Sequence, residues 1–182
     1  MRRIEGYVIV SADGMLADAA GVMPDSIRND ADQTFFQAGL DQAAAIVHGR
    51  HSYEGGPRAA QRKRLVVTRQ IATTAPDPKY PNALLWNPTG ATLEQAIAEL
   101  GAAAGPIAII GGPEVFSMFL PRYDTFYLSR AAKAKIPGGR PVFNEVGPNA
   151  TPEDVLMRHG LKPGPRRDLD AAAGVSVVEW TR

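Results

Sequence analysis

The stretch that decides the fold of this chain is Ile107-Ala108-Ile109-Ile110-Gly111-Gly112-Pro113-Glu114-Val115-Phe116. Its first four residues form an apolar run that is too short to cross a membrane and is typical of a buried strand. Two glycines end the run, and residues 114–120 are predicted to form a short helix that stops at Pro121. This arrangement favours anion binding, because the backbone can approach an anion closely and offers free N–H groups. The alternative is a tight strand-to-helix turn that binds no ligand.

The composition is that of one globular domain, predicted to cover residues 1–182. Apolar residues make up 45% of the chain, charged residues make up 21%, and the net charge is +1. The small net charge gives no reason to expect nucleic acid or a membrane surface as a partner. The chain has no cysteine, and its three histidines lack metal-ligand spacing, so no metal site is predicted. The N-terminus leads into a strand pattern without an apolar signal core, which predicts a cytoplasmic protein.

Hydrophobic patterning predicts strands that alternate with helices. The predicted strands cover residues 5–11, 43–47, 65–67, 82–86, 107–110, 125–129 and 174–182. The predicted helices cover residues 30–40, 92–100 and 114–120, and a further helix is expected directly after Gly49. The last strand alternates like an antiparallel edge strand. This order predicts an α/β fold with three αβα layers, a mostly parallel central sheet and an antiparallel C-terminal edge strand.

Polar residues and glycines follow three of the predicted strands. They are Gly49-Arg50-His51-Ser52, Thr68-Arg69 and Gly111-Gly112. Because the carboxyl ends of parallel strands lie at one edge of a sheet, these segments are expected to hold a diphosphate and a further phosphate together. Arg50 and Arg69 suit the further phosphate, since a guanidinium offers paired, charge-assisted hydrogen bonds. As an alternative, both arginines are solvated surface residues.

Several of these patterns resemble those of the dihydrofolate reductases and of the related reductase domain of riboflavin biosynthesis. The matching segments are Ser11–Ala17, Met23-Pro24, Gly49–Ser52, Thr68-Arg69, Ile110–Phe116, Phe119–Pro121 and Tyr127–Ser129. The resemblance extends from about residue 4 to residue 146, and residues 111–129 fit the family pattern without a gap. It implies a dihydrofolate reductase-like fold and an NADPH-dependent reductase.

The resemblance also assigns residues to the cofactor. Those implied to hold the adenosine 2′-phosphate are Gly49, Arg50, His51, Ser52, Thr68 and Arg69. Those implied to hold the pyrophosphate and the nicotinamide end are Ile110, Gly111, Gly112, Pro113, Glu114 and Val115. Leu16 and Ala17 would close over the nicotinamide from a mobile loop, and Ile9 would form the floor of the substrate site. Plain core packing is the alternative for Ile9, Leu16 and Val115.

A carboxylate at the start of the first helix is implied to orient the substrate and its proton. Counting back from Phe35-Phe36 selects Asp32, whereas counting forward from Met23-Pro24 selects Asp30. We favour Asp32, because Phe36 lies one turn later on the same face and could stack on a flat heterocycle. Ser129 is placed where the family uses a hydroxyl to support the acid. A capping role at the helix N-terminus is the alternative for either aspartate.

The chain departs from the dihydrofolate reductase pattern at Asp25, where a tryptophan is usual, and at Phe116, where a tyrosine is usual. Arg62 fits the arginine that binds the glutamate carboxylate of folate, although Arg64 fits the riboflavin-type pattern equally well. The first helix lacks the arginine that this second pattern requires.

Three functions therefore compete. The first is NADPH-dependent reduction of a pterin, with 7,8-dihydrofolate to tetrahydrofolate foremost. The second is reduction of 5-amino-6-(5-phosphoribosylamino)uracil, and the third is nucleotide binding without catalysis. The expected partner is a small-molecule substrate, and the expected state is a monomer or a homodimer.

Overall fold

A nine-stranded sheet forms the centre of the computed structural model, which describes all 182 residues. The strands are β1 (Ile4–Ser11), β2 (Met15–Ala17), β3 (Ala45–Gly49), β4 (Arg64–Val67), β5 (Thr74–Pro76), β6 (Ala83–Trp86), β7 (Ile107–Ile109), β8 (Thr125–Ala131), β9 (Arg140–Pro141), β10 (Lys162–Asp170) and β11 (Val175–Thr181). The helices are α1 (Asp30–Gln42), α2 (Leu93–Leu100), α3 (Pro113–Met118) and α4 (Pro152–Arg158), and short 3₁₀ turns cover Asp25–Ile27 and Ala59–Gln61. The strand order in the large sheet is β10-β11-β8-β1-β7-β3-β4-β6-β5, and β2 pairs with β9 separately.

The strands between β8 and β6 in this order are all parallel. The predicted α/β fold with a mostly parallel sheet is therefore confirmed, and the C-terminal strand β11 is antiparallel to β8 as predicted. The sheet has two strands more than predicted, because β10 pairs with β11 at one edge and β5 pairs with β6 at the other. The predicted edge position of the C-terminal strand is therefore wrong. The sequence of β10 lacks a strand pattern, because it contains Pro163, Pro165 and several charged residues. An edge strand tolerates prolines, since its outer N–H groups need no partner.

Helices cover both faces of the sheet. Ile107 and Ile109 of β7 belong to the main core cluster with residues of α2 and α3, whereas Ala108 between them packs with Leu40 of α1. This alternation produces the three predicted layers, since successive strand residues point to opposite faces. None of the helices combines the length and apolar character that crossing a membrane requires.

The helix predicted after Gly49 is absent, and this prediction was wrong. Residues 50–58 form turns and an irregular loop, and the short 3₁₀ turn follows them. Gly55 and Gly56 have φ values of 64° and 95°, which a right-handed helix does not accommodate. At the start of α1 the side chain of Asn29 caps the helix, because its Oδ1 accepts a hydrogen bond from the backbone N–H of Asp32 at 3.0 Å.

The connections of the sheet create a crevice at the carboxyl ends of its central strands. The chain leaves β1 towards α1 on one face and leaves β7 towards α3 on the opposite face. In open α/β sheets, ligands bind where neighbouring connections diverge in this way. The crevice lies next to the segments that follow β1, β3 and β7.

We expect Phe126→Ala to destabilise the fold by about 3–5 kcal/mol, because it leaves a cavity in the core. Phe126 is completely buried, and its ring centroid lies 4.9 Å from Tyr123, 5.3 Å from Phe143 and 5.8 Å from Phe116. Urea unfolding of both proteins measures the loss. Met118→Ala is the control, since Met118 is 37% exposed, and equal losses in the two variants would contradict the core assignment.

Candidate functional site

A cavity of about 550 Å³ opens in the crevice between the sheet and α1. One side is formed by Ile9 of β1 and by Leu16 and Ala17 of β2. The opposite side is formed by segments that follow β3 and β7, which contribute Ser52 and Gly112. The cavity therefore joins the predicted substrate region to part of the predicted phosphate region.

The first turn of α1 places a buried carboxyl group in the cavity wall. Asp32 is only 5% exposed, and Ser129 of β8, which is 2% exposed, also lines the cavity. Burial raises the pKa of the Asp32 carboxyl above its ordinary value, while hydrogen bonding with the Ser129 hydroxyl acts in the opposite direction. Asp32 is therefore suited to keep or to share a proton with a ligand.

The other predicted substrate residues lie around this carboxyl group. Ile9, Asp30 and Phe36 all line the cavity, and Asp30 is more exposed than Asp32. Phe36 follows Asp32 by one helical turn, so a flat ligand held by the carboxyl group would lie within reach of the ring. The structure thus brings together the acid, the hydroxyl and an aromatic surface.

The ends of β3, β4 and β7 also meet. The backbone N–H of Gly49 donates to the carbonyl oxygen of Gly111 at 2.7 Å. A Cβ atom on Gly112 would lie 3.5 Å from Oγ of Ser52, and the guanidinium of Arg69 lies 4.0 Å from the carboxylate of Glu114. The segments that follow β3, β4 and β7 are therefore neighbours at one edge of the sheet, as expected from the sequence.

The paired glycines leave an open cradle at this edge. Gly111 has a φ of 113°, and the peptide bond between Gly111 and Gly112 is cis. A Cβ atom on Gly112 would meet nothing closer than Ser52, so the glycine keeps this space free. The backbone N–H groups of Gly112, Glu114 and Val115 make no hydrogen bond within the chain. A close backbone approach and unused N–H groups fit a pyrophosphate.

The predicted cofactor residues divide into two groups. Those that line the cavity are Leu16, Ala17, His51, Ser52, Ile110 and Gly112. Those that lie outside its lining are Gly49, Arg50, Thr68, Arg69, Gly111, Pro113, Glu114 and Val115. Within the second group the side chain of Arg69 is 86% exposed, and Arg50 is exposed and makes no hydrogen bond or ion pair within the chain. Two solvated guanidinium groups are thus available beside the cradle.

Arg62 does not reach the cavity. Its guanidinium donates to Oε1 of Gln37 and to Oδ1 of Asp41, both at 2.8 Å, so it is held by α1. The sequence places Arg62 three residues before a strand, but the spacing does not show that two acceptors on α1 face it. Two further lining residues, Tyr53 and Glu54, were not predicted because they lie where a helix was expected.

Comparison with known proteins identifies the family. A family model described as Dihydrofolate reductase matches residues 10–151. The chain belongs to the dihydrofolate reductase family. Among curated protein sequences, none matches the chain significantly.

Three solved structures have a similar fold. A protein from Shewanella sp. PV-4 assigned to riboflavin biosynthesis has a TM-score of 0.66 and 19% identity, and the alignment covers 99% of this chain and 98% of that one. Dihydrofolate reductase from Enterococcus faecalis, complexed with NADP(H) and RAB-propyl, has a TM-score of 0.65 and 17% identity, with 99% and 96% covered. A diaminohydroxyphosphoribosylaminopyrimidine deaminase/5-amino-6-(5-phosphoribosylamino)uracil reductase from Thermotoga maritima has a TM-score of 0.67 and 14% identity, and this chain spans 56% of its length. At these identities the structures support the fold alone.

We expect Asp32→Asn to stabilise this reductase-family fold at neutral pH. Because folding raises the pKa of Asp32 above its ordinary value of 3.8, its carboxyl group favours the folded state fully below that value. This contribution is lost as the pH rises through the higher, folded-state pKa. Unfolding free energies of variant and wild type should therefore agree near pH 3 and diverge towards pH 7, with the variant more stable.

Urea unfolding over a pH series measures this difference. Asp25→Asn is the matched control, because the side chain of Asp25 is fully exposed and should give no comparable divergence. A gain for Asp32→Asn that is the same at every pH would show that ionisation of the buried carboxyl group is not its source.

Proposed function

We propose that this chain is an NADPH-dependent reductase that transfers hydride to a pterin-type substrate, with 7,8-dihydrofolate as the first candidate. The observation that carries the proposal is the buried Asp32 carboxyl beside Ser129, in a cavity that adjoins the Gly111-Gly112 cradle. Membership of a reductase family gives this arrangement its chemical context. A buried acid that faces a cavity is a frequent feature of catalytic sites.

The residues around the cradle fit the parts of a phosphorylated dinucleotide. The unused N–H groups of Gly112, Glu114 and Val115 would hold the pyrophosphate. Arg50 and Arg69 would bind the 2′-phosphate, because both guanidinium groups are exposed and offer charge-assisted hydrogen bonds. When bound, NADPH supplies the hydride from its reduced nicotinamide.

The chain's own residues would orient the heterocycle and supply its proton. Hydride addition to an imine carbon needs a proton on the adjacent nitrogen. The Asp32 carboxyl, with its raised pKa, would hold a proton at the edge of the ring, and Ser129 would fix the position of that carboxyl. Phe36 would stack on the ring, and Leu16 and Ala17 would exclude water from the side of the cofactor.

A second substrate, 5-amino-6-(5-phosphoribosylamino)uracil, is favoured by two observations. Arg62 is bound by Gln37 and Asp41, so it is not free to take the glutamate carboxylate of a folate. Arg28 lines the cavity, and its Nε lies 3.3 Å from Oδ1 of the fully exposed Asp25. Because 58% of the Arg28 side chain is exposed, its guanidinium is still accessible to a phosphate. The third candidate, a nucleotide-binding module without catalysis, keeps the cradle but assigns no chemical role to Asp32.

NADPH oxidation, followed spectrophotometrically with each substrate in parallel, tests the proposal. Asp32→Asn is expected to lower kcat/KM about 10²–10⁴-fold, because an amide cannot supply the proton. In the wild type kcat/KM should fall as the pH rises through the raised pKa of Asp32. Asp30→Asn is the control. A larger loss of kcat/KM in that variant would assign the proton-donating role to Asp30 instead of Asp32. Absence of NADPH oxidation with both substrates, with NADPH binding retained in wild type and Asp32→Asn alike, would favour the binding module.

The double variant Arg50→Ala/Arg69→Ala tests the phosphate clamp. Loss of two charge-assisted hydrogen-bonding groups should weaken NADPH binding about 10–100-fold and leave NADH binding nearly unchanged. Fluorescence of the bound reduced nicotinamide measures both dissociation constants. Arg166→Ala, on the exposed edge strand, is the control. A preference for NADPH over NADH that survives the double substitution would contradict this assignment.

A further inference from the structure

The loop of residues 50–58 has almost no backbone support of its own. The N–H of Ser52 donates to the carbonyl oxygen of Gly49 at 3.2 Å, but none of the N–H groups at residues 53–58 makes a hydrogen bond. The same loop carries Arg50, His51 and Ser52, which the proposed function assigns to the cofactor. A loop of this kind needs side-chain contacts to keep one conformation.

One buried ion pair supplies the main contact. The side chains of Glu54, in the loop, and Arg64, on β4, are 0% and 1% exposed. Nη1 of Arg64 lies 2.6 Å from Oε1 of Glu54 and donates to Oε2 at 3.1 Å. Nη2 of Arg64 donates to the carbonyl oxygen of Ala59 at 2.7 Å, so the same guanidinium also fixes the end of the loop.

The surroundings of Arg64 complete its hydrogen bonds and pack its guanidinium. Nδ1 of His48 lies 2.6 Å from the carbonyl oxygen of Gly49 and must donate to it, which leaves Nε2 to accept from Arg64 at 3.0 Å. The guanidinium carbon lies 4.6 Å from the ring centroid of Tyr53, and that ring stacks on Tyr80 at 4.4 Å. Arg64 is therefore held by His48 of β3 as well as by Tyr53 of the loop.

Arg62 is the nearest other cation, but it is a poor substitute. Its Nη1 lies 3.8 Å from Oε2 of Glu54, while its Nη2 is held by Gln37 and Asp41. Burying two charges costs solvation energy, so a buried pair is a weak device for stability and a better device for fixing one geometry. The geometry fixed here is that of a loop whose exposed face carries Arg50 and His51.

We propose that the Glu54–Arg64 pair is a positioning device for the 2′-phosphate clamp, so that it sets the affinity for NADPH relative to NADH. The proposal rests on the proposed function for the identity of the dinucleotide. Its physical basis is preorganisation, because a loop already held in its binding conformation loses less entropy when the phosphate binds. Arg64 and Glu54 act through Arg50, His51 and Ser52. Arg64 lies outside the cavity lining, and although Glu54 belongs to that lining, its side chain is 0% exposed because it is turned to Arg64.

The test compares Arg64→Met, Glu54→Leu and Glu54→Gln with the wild type. Arg64→Met and Glu54→Leu remove the contact, and each is expected to raise the Kd for NADPH about tenfold. The Kd for NADH should stay close to that of the wild type. Amide hydrogen exchange should accelerate at Ser52 and Ala59, whose N–H groups donate hydrogen bonds at the two ends of the loop. Glu54→Gln keeps an acceptor for Arg64 and should restore most of the NADPH affinity. Arg122→Met is the control, since Arg122 pairs with Glu94 at the exposed surface far along the chain.

The outcomes separate this inference from the proposed function. A purely structural role would lower thermal stability and weaken both dinucleotides equally. An unchanged ratio of the two Kd values in folded Arg64→Met or folded Glu54→Leu would overturn the inference alone. Wild-type protein that binds no NADPH would overturn the proposed function and the inference with it. If Arg64→Met does not fold, Glu54→Leu and Glu54→Gln provide the same comparison from the partner side.

Discussion

The hydrogen bond from the N–H of Gly49 to the carbonyl oxygen of Gly111 holds the site together. It continues the parallel pairing of β3 and β7 beyond Ile109, the last residue of β7. Together with the hydrogen bond from the N–H of Ile110 to the carbonyl oxygen of Val47 at 3.0 Å, it keeps the segments that follow these strands side by side. The glycine cradle, Ser52 and the start of α3 therefore depend on a backbone contact that involves no side chain at all.

The side chain of Asn29 caps α1 and thereby affects the candidate site. By accepting the N–H of Asp32, its side chain satisfies an otherwise free donor at the first turn of α1. The carboxyl group of Asp32 is thereby spared the capping role, which was the alternative interpretation of this residue. It turns instead towards Ser129 and the cavity, where burial dominates its ionisation. Asn29 therefore caps α1, and the carboxyl group of Asp32 remains available to the cavity.

The sequence was most informative where local chemistry and fold agree. The run from Ile107 to Gly112 predicted a buried strand, a turn and a helix because apolar periodicity and glycine act over a few residues, and the family pattern supported the parallel sheet. The loop at 50–58 was not predicted, because the buried contact of Glu54 with Arg64 joins residues ten apart through tertiary packing. The prediction that Arg62 binds substrate failed for a related reason. The residues that accept its hydrogen bonds, Gln37 and Asp41, lie on α1, more than twenty residues earlier. Distant polar partners leave no periodic signal in a sequence.

The exposed edge strand β10 also determines how molecules of this protein can meet. Its two prolines lack N–H groups, and Lys162, Arg166 and Arg167 add positive charge along the same strand. A strand from a second molecule would find interrupted hydrogen-bond donors there, because a proline cannot donate to a neighbouring strand. The prolines therefore disfavour extension of the large sheet across this edge by strand pairing.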